Sequence, residues 1–151
     1  MKSLKYVWLS ICALLITSFS SAQTNFNFKM DHNALLVQDL EVAAEFYMDI
    51  LGLTEISNGG LPSHIRWFQF SDKVQVHLSE SGNDIQKKKG VHIAINTQNL
   101  EEFITFLNAK NIHWENWPGE KSATRFRPDG VQQIYIRDPD GYWIEINDNE
   151  L

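Results

Sequence analysis

Apolar and polar residues recur with two different periods along this chain, and the order of those periods repeats. From His32 the run "HNALLV" reads as a strand, and "LEVAAEFYMDI" then shifts to helical spacing, with Ala43, Phe46, Tyr47 and Ile50 on one stripe. Asp39 is placed to cap that helix and Gly52 to stop it. A short strand is expected around residues 53–57, after which "IRWFQF" and "VQVHLSE" form a hairpin across the turn "SDK". The same grammar restarts at His92. "HIAIN" is a strand, and the following helix buries Leu100, Phe103 and Leu107, with Asn99 as its cap and Glu102 reaching back. A strand is expected around residues 112–116, and then "VQQIYIR" and "YWIEIND" pair across the tight turn "DPDG".

The two halves are a repeat. Residues 32–46 align without a gap on residues 92–106, so that His32 meets His92, Ala34 meets Ala94, Gln38 meets Gln98, Leu40 meets Leu100, Glu41 meets Glu101 and Phe46 meets Phe106. Further along, with a slightly longer second turn, His77 in "VQVHL" falls on Glu145 in "YWIEI". Each half is strand–helix–strand–strand–strand. The expected fold is α+β: two tandem βαβββ modules, at about residues 29–80 and 90–148, that form a cup-shaped curved mixed sheet.

This repeat gathers the candidate chemistry. His32 and His92 open the first strand of each module, and His77 and Glu145 stand on its last strand. Along "VQVHLSE", Val74, Val76 and Leu78 face one way while Gln75, His77 and Ser79 face the other; Ile144 and Ile146 oppose Glu145 in the same manner. A carboxylate in mid-strand between large apolar neighbours is costly to bury without a partner. Taken singly, each histidine reads as an ordinary structural residue; the repeat is what joins them. Three imidazoles and one carboxylate turned into a shared concavity suit one divalent transition metal, with Zn, Ni, Fe and Mn all compatible. Glu145 is the candidate proton-moving group. Trp67, Gln69, Gln133, Tyr135 and Trp143 alternate so as to line the same concavity, although core packing explains the aromatics as well. Arg125 and Arg127, in "TRFRPDG", could meet an anionic substrate group, solvated loop charge being the plainer reading. His64 and His113 show no such pairing.

Length and charge narrow the function classes. The chain has 151 residues and a net charge of −6. Its first 22 residues read as an export signal: Lys2 and Lys5, an apolar run over residues 6–16, and small residues before a break after Ala22. The mature chain, residues 23–151, is then a single domain that is periplasmic or secreted and not held in a membrane. Losing Lys2 and Lys5 takes the net charge from −6 to −8. An acidic domain whose one basic cluster is "KKK" (87–89), read as a solvated loop, is a poor partner for nucleic acid. The single cysteine, Cys12, lies within the signal, which leaves neither a disulfide framework nor a thiol nucleophile. A small molecule is the expected partner.

The motifs "DHNALLVQDLEVAAEFYMDILGL", "VQVHL", "GVHIAI" and "DPDGYWIEI", in this order over residues 29–148, resemble the vicinal oxygen chelate superfamily, which includes glyoxalase I, bleomycin- and fosfomycin-resistance proteins, methylmalonyl-CoA epimerase and extradiol dioxygenases. The resemblance implies paired βαβββ modules around a metal, assembled across a homodimer, with ligands falling on His32, His77, His92 and Glu145. Bacterial glyoxalase I usually carries glutamate where this chain has His77. What the resemblance implies first is a lyase or isomerase of the glyoxalase I type. The alternatives are an Fe(II) extradiol-type dioxygenase on a catechol-like substrate and a non-catalytic protein that sequesters a drug or metabolite.

Overall fold

A computed structural model describes residues 29–82 and 87–150. The expected export segment and Cys12 lie outside the described residues. The first module comprises β1 (His32–Val37), α1 (Leu40–Asp49), β2 (Thr54–Ile56), β3 (Ile65–Gln69) and β4 (Gln75–Glu80). The second comprises β5 (His92–Asn96), α2 (Leu100–Ala109), β6 (Trp114–Glu115), β7 (Arg125–Phe126), β8 (Gln132–Arg137) and β9 (Trp143–Asn147). No described helix is long and apolar enough to cross a membrane.

The strands form two sheets, one per module, of matching topology. Their orders are β1-β4-β3-β2 and β5-β9-β8-β6, with β7 added against β8. In each, the first strand runs parallel to the last and the other pairings are antiparallel. The repeat holds at the level of single residues. Ala34 lies opposite His77 as Ala94 lies opposite Glu145, and Trp67 faces His77 as Tyr135 faces Glu145. The α+β architecture of paired βαβββ modules is therefore the one the hydrophobic pattern predicts, with β7 as an unpredicted addition.

Local chemistry explains the helix limits, with one correction. The Asp39 side chain accepts from the backbone N–H groups of Glu41 and Val42 at 3.1 and 3.0 Å, satisfying donors that the first turn of α1 leaves open. Past the other end, Gly52 adopts φ 70°, a left-handed geometry that suits glycine. Asn99 does not cap α2 as expected: its side chain makes no cap bond and its ψ of 43° lies outside the extended range. Instead the Thr97 hydroxyl accepts from the Asn99 N–H at 3.1 Å, which turns the chain into the helix.

One apolar core serves both modules. It joins Leu35, Val37, Ala43, Tyr47, Phe68, Val76 and Leu78 to Leu100, Leu107, Ile134, Ile136, Ile144 and Ile146. The opposite faces of β4 and β9 are thereby left to carry His77 and Glu145. Phe46, Ile50 and Phe103, expected inside, pack on the margin of this core and are only partly buried.

The "DPDG" turn between β8 and β9 ties the second module to the first. Tyr47 donates its hydroxyl proton to Asp138 Oδ2 at 3.0 Å, and the Gln38 N–H donates to Asp140 Oδ1 at 2.7 Å. The Tyr142 hydroxyl reaches the Leu36 carbonyl at 3.0 Å. Burial raises the Asp138 carboxyl to about 6, against the hydrogen bonds from the Tyr142 N–H and the Tyr47 hydroxyl, which lower it. A raised native value means that the native state holds this proton more tightly than the unfolded chain does. The resulting stabilisation is complete below the ordinary aspartate value and is lost as pH rises through about 6. Urea unfolding of the protein is therefore expected to show a component of order 2–3 kcal/mol that declines between about pH 4 and pH 7. Asp138→Asn should remove that component. Parallel pH profiles for the two proteins would show that burial does not raise this carboxyl above its value in the unfolded chain.

Candidate metal and substrate site

The second module builds its half of the site around Glu145. β9 places this carboxylate on the polar face, where its side chain is only 5% exposed. Four neighbours supply donors. Tyr135, directly across on β8, donates to Oε2 at 2.5 Å, and Asn147 Nδ2 donates to Oε1 at 2.8 Å. Arg127 approaches Oε1 at 3.3 Å, and Gln133, with its amide nitrogen turned inward, donates to both oxygens at 3.2 Å. Burial, followed by the contact with Glu145, raises the Tyr135 phenol above its ordinary value, so it remains a donor at neutral pH. The cost of burying the charge is offset by hydrogen bonds to it.

His92 faces this carboxylate from β5. Its Nδ1 lies 2.8 Å from the Lys89 carbonyl, which accepts its proton, and its Nε2 lies 3.3 Å from Glu145 Oε2. In the neutral ring that Nε2 carries a lone pair. Two lone pairs facing each other at this distance require a proton or a cation between them. Two ligand atoms about 2.0–2.2 Å from one ion sit about this far apart, so the pair fits a divalent metal.

Lys89 is not the solvated loop residue that the "KKK" cluster suggests. Its side chain is 16% exposed, and its ammonium donates to Glu115 Oε1 at 2.7 Å and to the Asn116 carbonyl at 2.5 Å. It also lies 4.7 Å from the Tyr135 ring centre and 4.6 Å from that of Trp143. The ammonium is drawn inward because a carboxylate, a carbonyl and two ring faces together replace its water. Trp143 lies beneath Lys89 and Arg137 and is buried, so it forms floor rather than open wall.

The first module arranges its half differently. Trp67, His77 and His32 form a continuous stack, with ring centres 4.2 and 4.1 Å apart and planes within 6° and 13°. His77 Nε2 pairs with Gln75 Oε1 at 2.8 Å, and His32 Nδ1 pairs with Asp31 Oδ2 at 2.6 Å. Burial, and then the neighbouring His32, lowers the His77 value, which keeps that ring neutral. Lone pairs of imidazoles lie in the ring plane. In two nearly parallel rings they run side by side, so one ring must rotate before both can meet one ion. Gln69 lies at the end of β3 opposite Gln75, beyond the stack.

The structure thus brings the four expected ligands together as two pairs, His92 with Glu145 and His32 with His77. Among the described residues no group of three or more His, Cys, Asp or Glu is placed to hold a metal ion. Outside these pairs, His113 bonds to Glu115 at 2.8 Å. Three contributors were not singled out from the sequence as site residues. Asn147 follows Glu145 at strand spacing and was legible by alternation alone. Lys89 and Trp117 carry no such signal; the Trp117 ring lies 5.6 Å from that of Tyr135 and 6.2 Å from that of His92.

Comparison with known proteins agrees with this fold. The sequence profile of the Glyoxalase/Bleomycin resistance protein/Dioxygenase superfamily matches residues 29–146. The chain belongs to that superfamily. It is 26% identical over 128 residues to the uncharacterized protein YwbC of Bacillus subtilis (strain 168), covering 78% of this chain and 95% of that one. Among solved structures it resembles the oxidase ChaP-H2, with a TM-score of 0.68 at 17% identity, covering 82% of this chain and 94% of the other. It also resembles the lactoylglutathione lyase from Agrobacterium tumefaciens, with a TM-score of 0.61 at 23% identity, covering 80% and 93%. At these identities the structural likeness speaks for the superfamily fold alone.

The buried ammonium of Lys89 makes a prediction that separates it from its neighbours. Lys89→Met leaves Glu115 without its main partner and should cost about 1–3 kcal/mol in urea unfolding. Lys88→Met, at an exposed position, should change stability by no more than about 0.5 kcal/mol. Equal effects would return residue 89 to the solvated loop.

Proposed function

We propose that this protein is a divalent-metal-dependent enzyme acting on a small oxygen-rich molecule, foremost a lyase or isomerase of the glyoxalase I type. The observation that carries the reading is the His92 Nε2 lone pair facing the Glu145 carboxylate at 3.3 Å, with the imidazole oriented by the Lys89 carbonyl. Ligating histidines are commonly oriented through their other ring nitrogen in this way. His32 and His77 complete the donor set, each keeping one ring nitrogen uncommitted, Nε2 in His32 and Nδ1 in His77. No third ligand joins either pair among the described residues. A four-ligand site therefore requires the two pairs to approach each other or a second chain to supply one of them, and the reading includes a homodimer. It also places the mature chain outside the cytoplasm.

A divalent ion held by these residues supplies Lewis acidity toward adjacent substrate oxygens. The protein's own groups do the remainder. Glu145 accepts and returns the substrate proton, Tyr135 and Asn147 hold its carboxylate in place, and the floor formed by Trp143 and Lys89 limits water. If one of His32 and His77 stays in its stack, the set reduces to two histidines and one carboxylate. That arrangement suits an Fe(II) oxygenase acting on a catechol-like substrate, the second reading.

Metal content of the purified mature chain after loading with Zn, Ni, Mn or Fe(II) tests the site. His92→Ala and Glu145→Ala are each expected to weaken binding by about tenfold or more. Unchanged metal in both variants would remove the site model. Loaded protein that leaves the hemithioacetal of methylglyoxal and glutathione untouched would exclude the glyoxalase I version. Oxygen consumption with catechols would then select the oxygenase.

A further inference from the structure

Beside Glu145 lies a cavity of about 370 Å³ lined by Trp117, Arg125, Phe126, Arg127, Pro128 and Gln133. We propose that it binds one end of a planar aromatic carboxylate, the ring against Trp117 and the anion at Arg125; the proposal rests on reading His92 and Glu145 as the reactive end of the site.

The two arginines differ in what they already hold. Arg127 is committed: its Nε and one terminal nitrogen pair with Asp129 at 3.1 and 2.6 Å, and its other terminal nitrogen approaches Glu145. Arg125 has no ion-pair partner among the described residues. It stands opposite Gln133 on β8, the residue whose amide reaches Glu145, so it shares the face that carries the site. A guanidinium that borders a cavity and lacks a carboxylate, in a chain rich in acids, is available for an anion brought by the ligand.

The class of ligand follows from the opposite wall. Trp117 is 45% exposed although its ring lies close to those of His92 and Tyr135, so a large part of this aromatic residue is open immediately beside them. Phe126 and Pro128 make the rim apolar. A flat π surface and an apolar rim favour a ring over an aliphatic chain. The volume lies near the lower end of the range of about 300–1,000 Å³ for small-molecule sites, which suits one or two fused rings. With its carboxylate at Arg125 and its ring on Trp117, the far edge of such a molecule comes toward Glu145.

Isothermal titration of the mature chain with 2-naphthoate tests this, run once after chelation and once with manganese added. Cyclohexanecarboxylate and 2-naphthamide, which lack the flat ring and the charge respectively, serve as comparators. Naphthoate should bind one to one and about tenfold more tightly than either. Arg125→Gln and Trp117→Ala should each abolish that preference. Arg125→Lys and Trp117→Phe should keep part of it, so loss of fold in the harsher variants does not obscure the result. No binding of naphthoate at millimolar concentration, equal binding of the comparators, or full affinity in both Arg125→Gln and Trp117→Ala would overturn the proposal. Because the titration is also made without metal, a failure of metal binding leaves this result readable, and the reverse holds.

Discussion

A carboxylate buried in the middle of a strand is the constraint around which the second module is organised. Glu145 cannot stay charged beneath its neighbours unless donors reach both oxygens, and those donors come from different parts of the chain. Tyr135 and Gln133 arrive on β8, Asn147 on β9 itself and Arg127 from the connection after β7. Each requires the strand register that is observed, because a one-residue slip in β8 would turn Tyr135 and Gln133 toward the apolar core. The same contacts that make the charge tolerable thus fix the strands that present it.

The first module repeats the scaffold without that constraint. His77 occupies the place of Glu145 and Trp67 the place of Tyr135, in identical register. There is no charge to satisfy, so the neighbours are flat rings and the result is a stack rather than a nest of donors. One backbone plan therefore supports a half-site held by directional hydrogen bonds and another held by ring contact. The second kind is easier to rearrange, since rotating an imidazole out of a stack breaks no buried ion pair. The freedom to rearrange thus falls on His32 and His77, and the rigidity on Glu145.

Much of this was legible in the sequence, for physical reasons that also mark where legibility stops. Period-two and helical patterns, with Asp39 and Gly52 as punctuation, locate the repeated elements because burial dictates side-chain direction. The equivalence of His77 and Glu145 followed from the repeat, and the register confirms it. At the start of α2, Thr97 takes the Asn99 N–H that Glu102 was expected to reach, and Asn99 itself leaves the extended conformation that a capping side chain needs. Lys89 was misjudged because its partners Glu115, Asn116 and Tyr135 come from distant strands and loops, which no local pattern reveals. The stacking of His32 on His77 is likewise a matter of side-chain rotation. Alternation gives the face of a residue but not the plane of its ring.

The hairpin "DPDGYWIEIND" joins the two demands that the fold must meet. At its turn, Asp138 and Asp140 receive Tyr47 and the Gln38 N–H from the first module, and Tyr142 returns a bond to Leu36. A few residues on, β9 carries Glu145. Rotation of this hairpin against the first module would break three inter-module hydrogen bonds and displace the carboxylate as well. The orientation of the Glu145 carboxylate is therefore coupled to the packing of α1 and β1. Substitutions at Tyr47 or Asp138 belong with the site in their consequences, because they act on the strand that carries it.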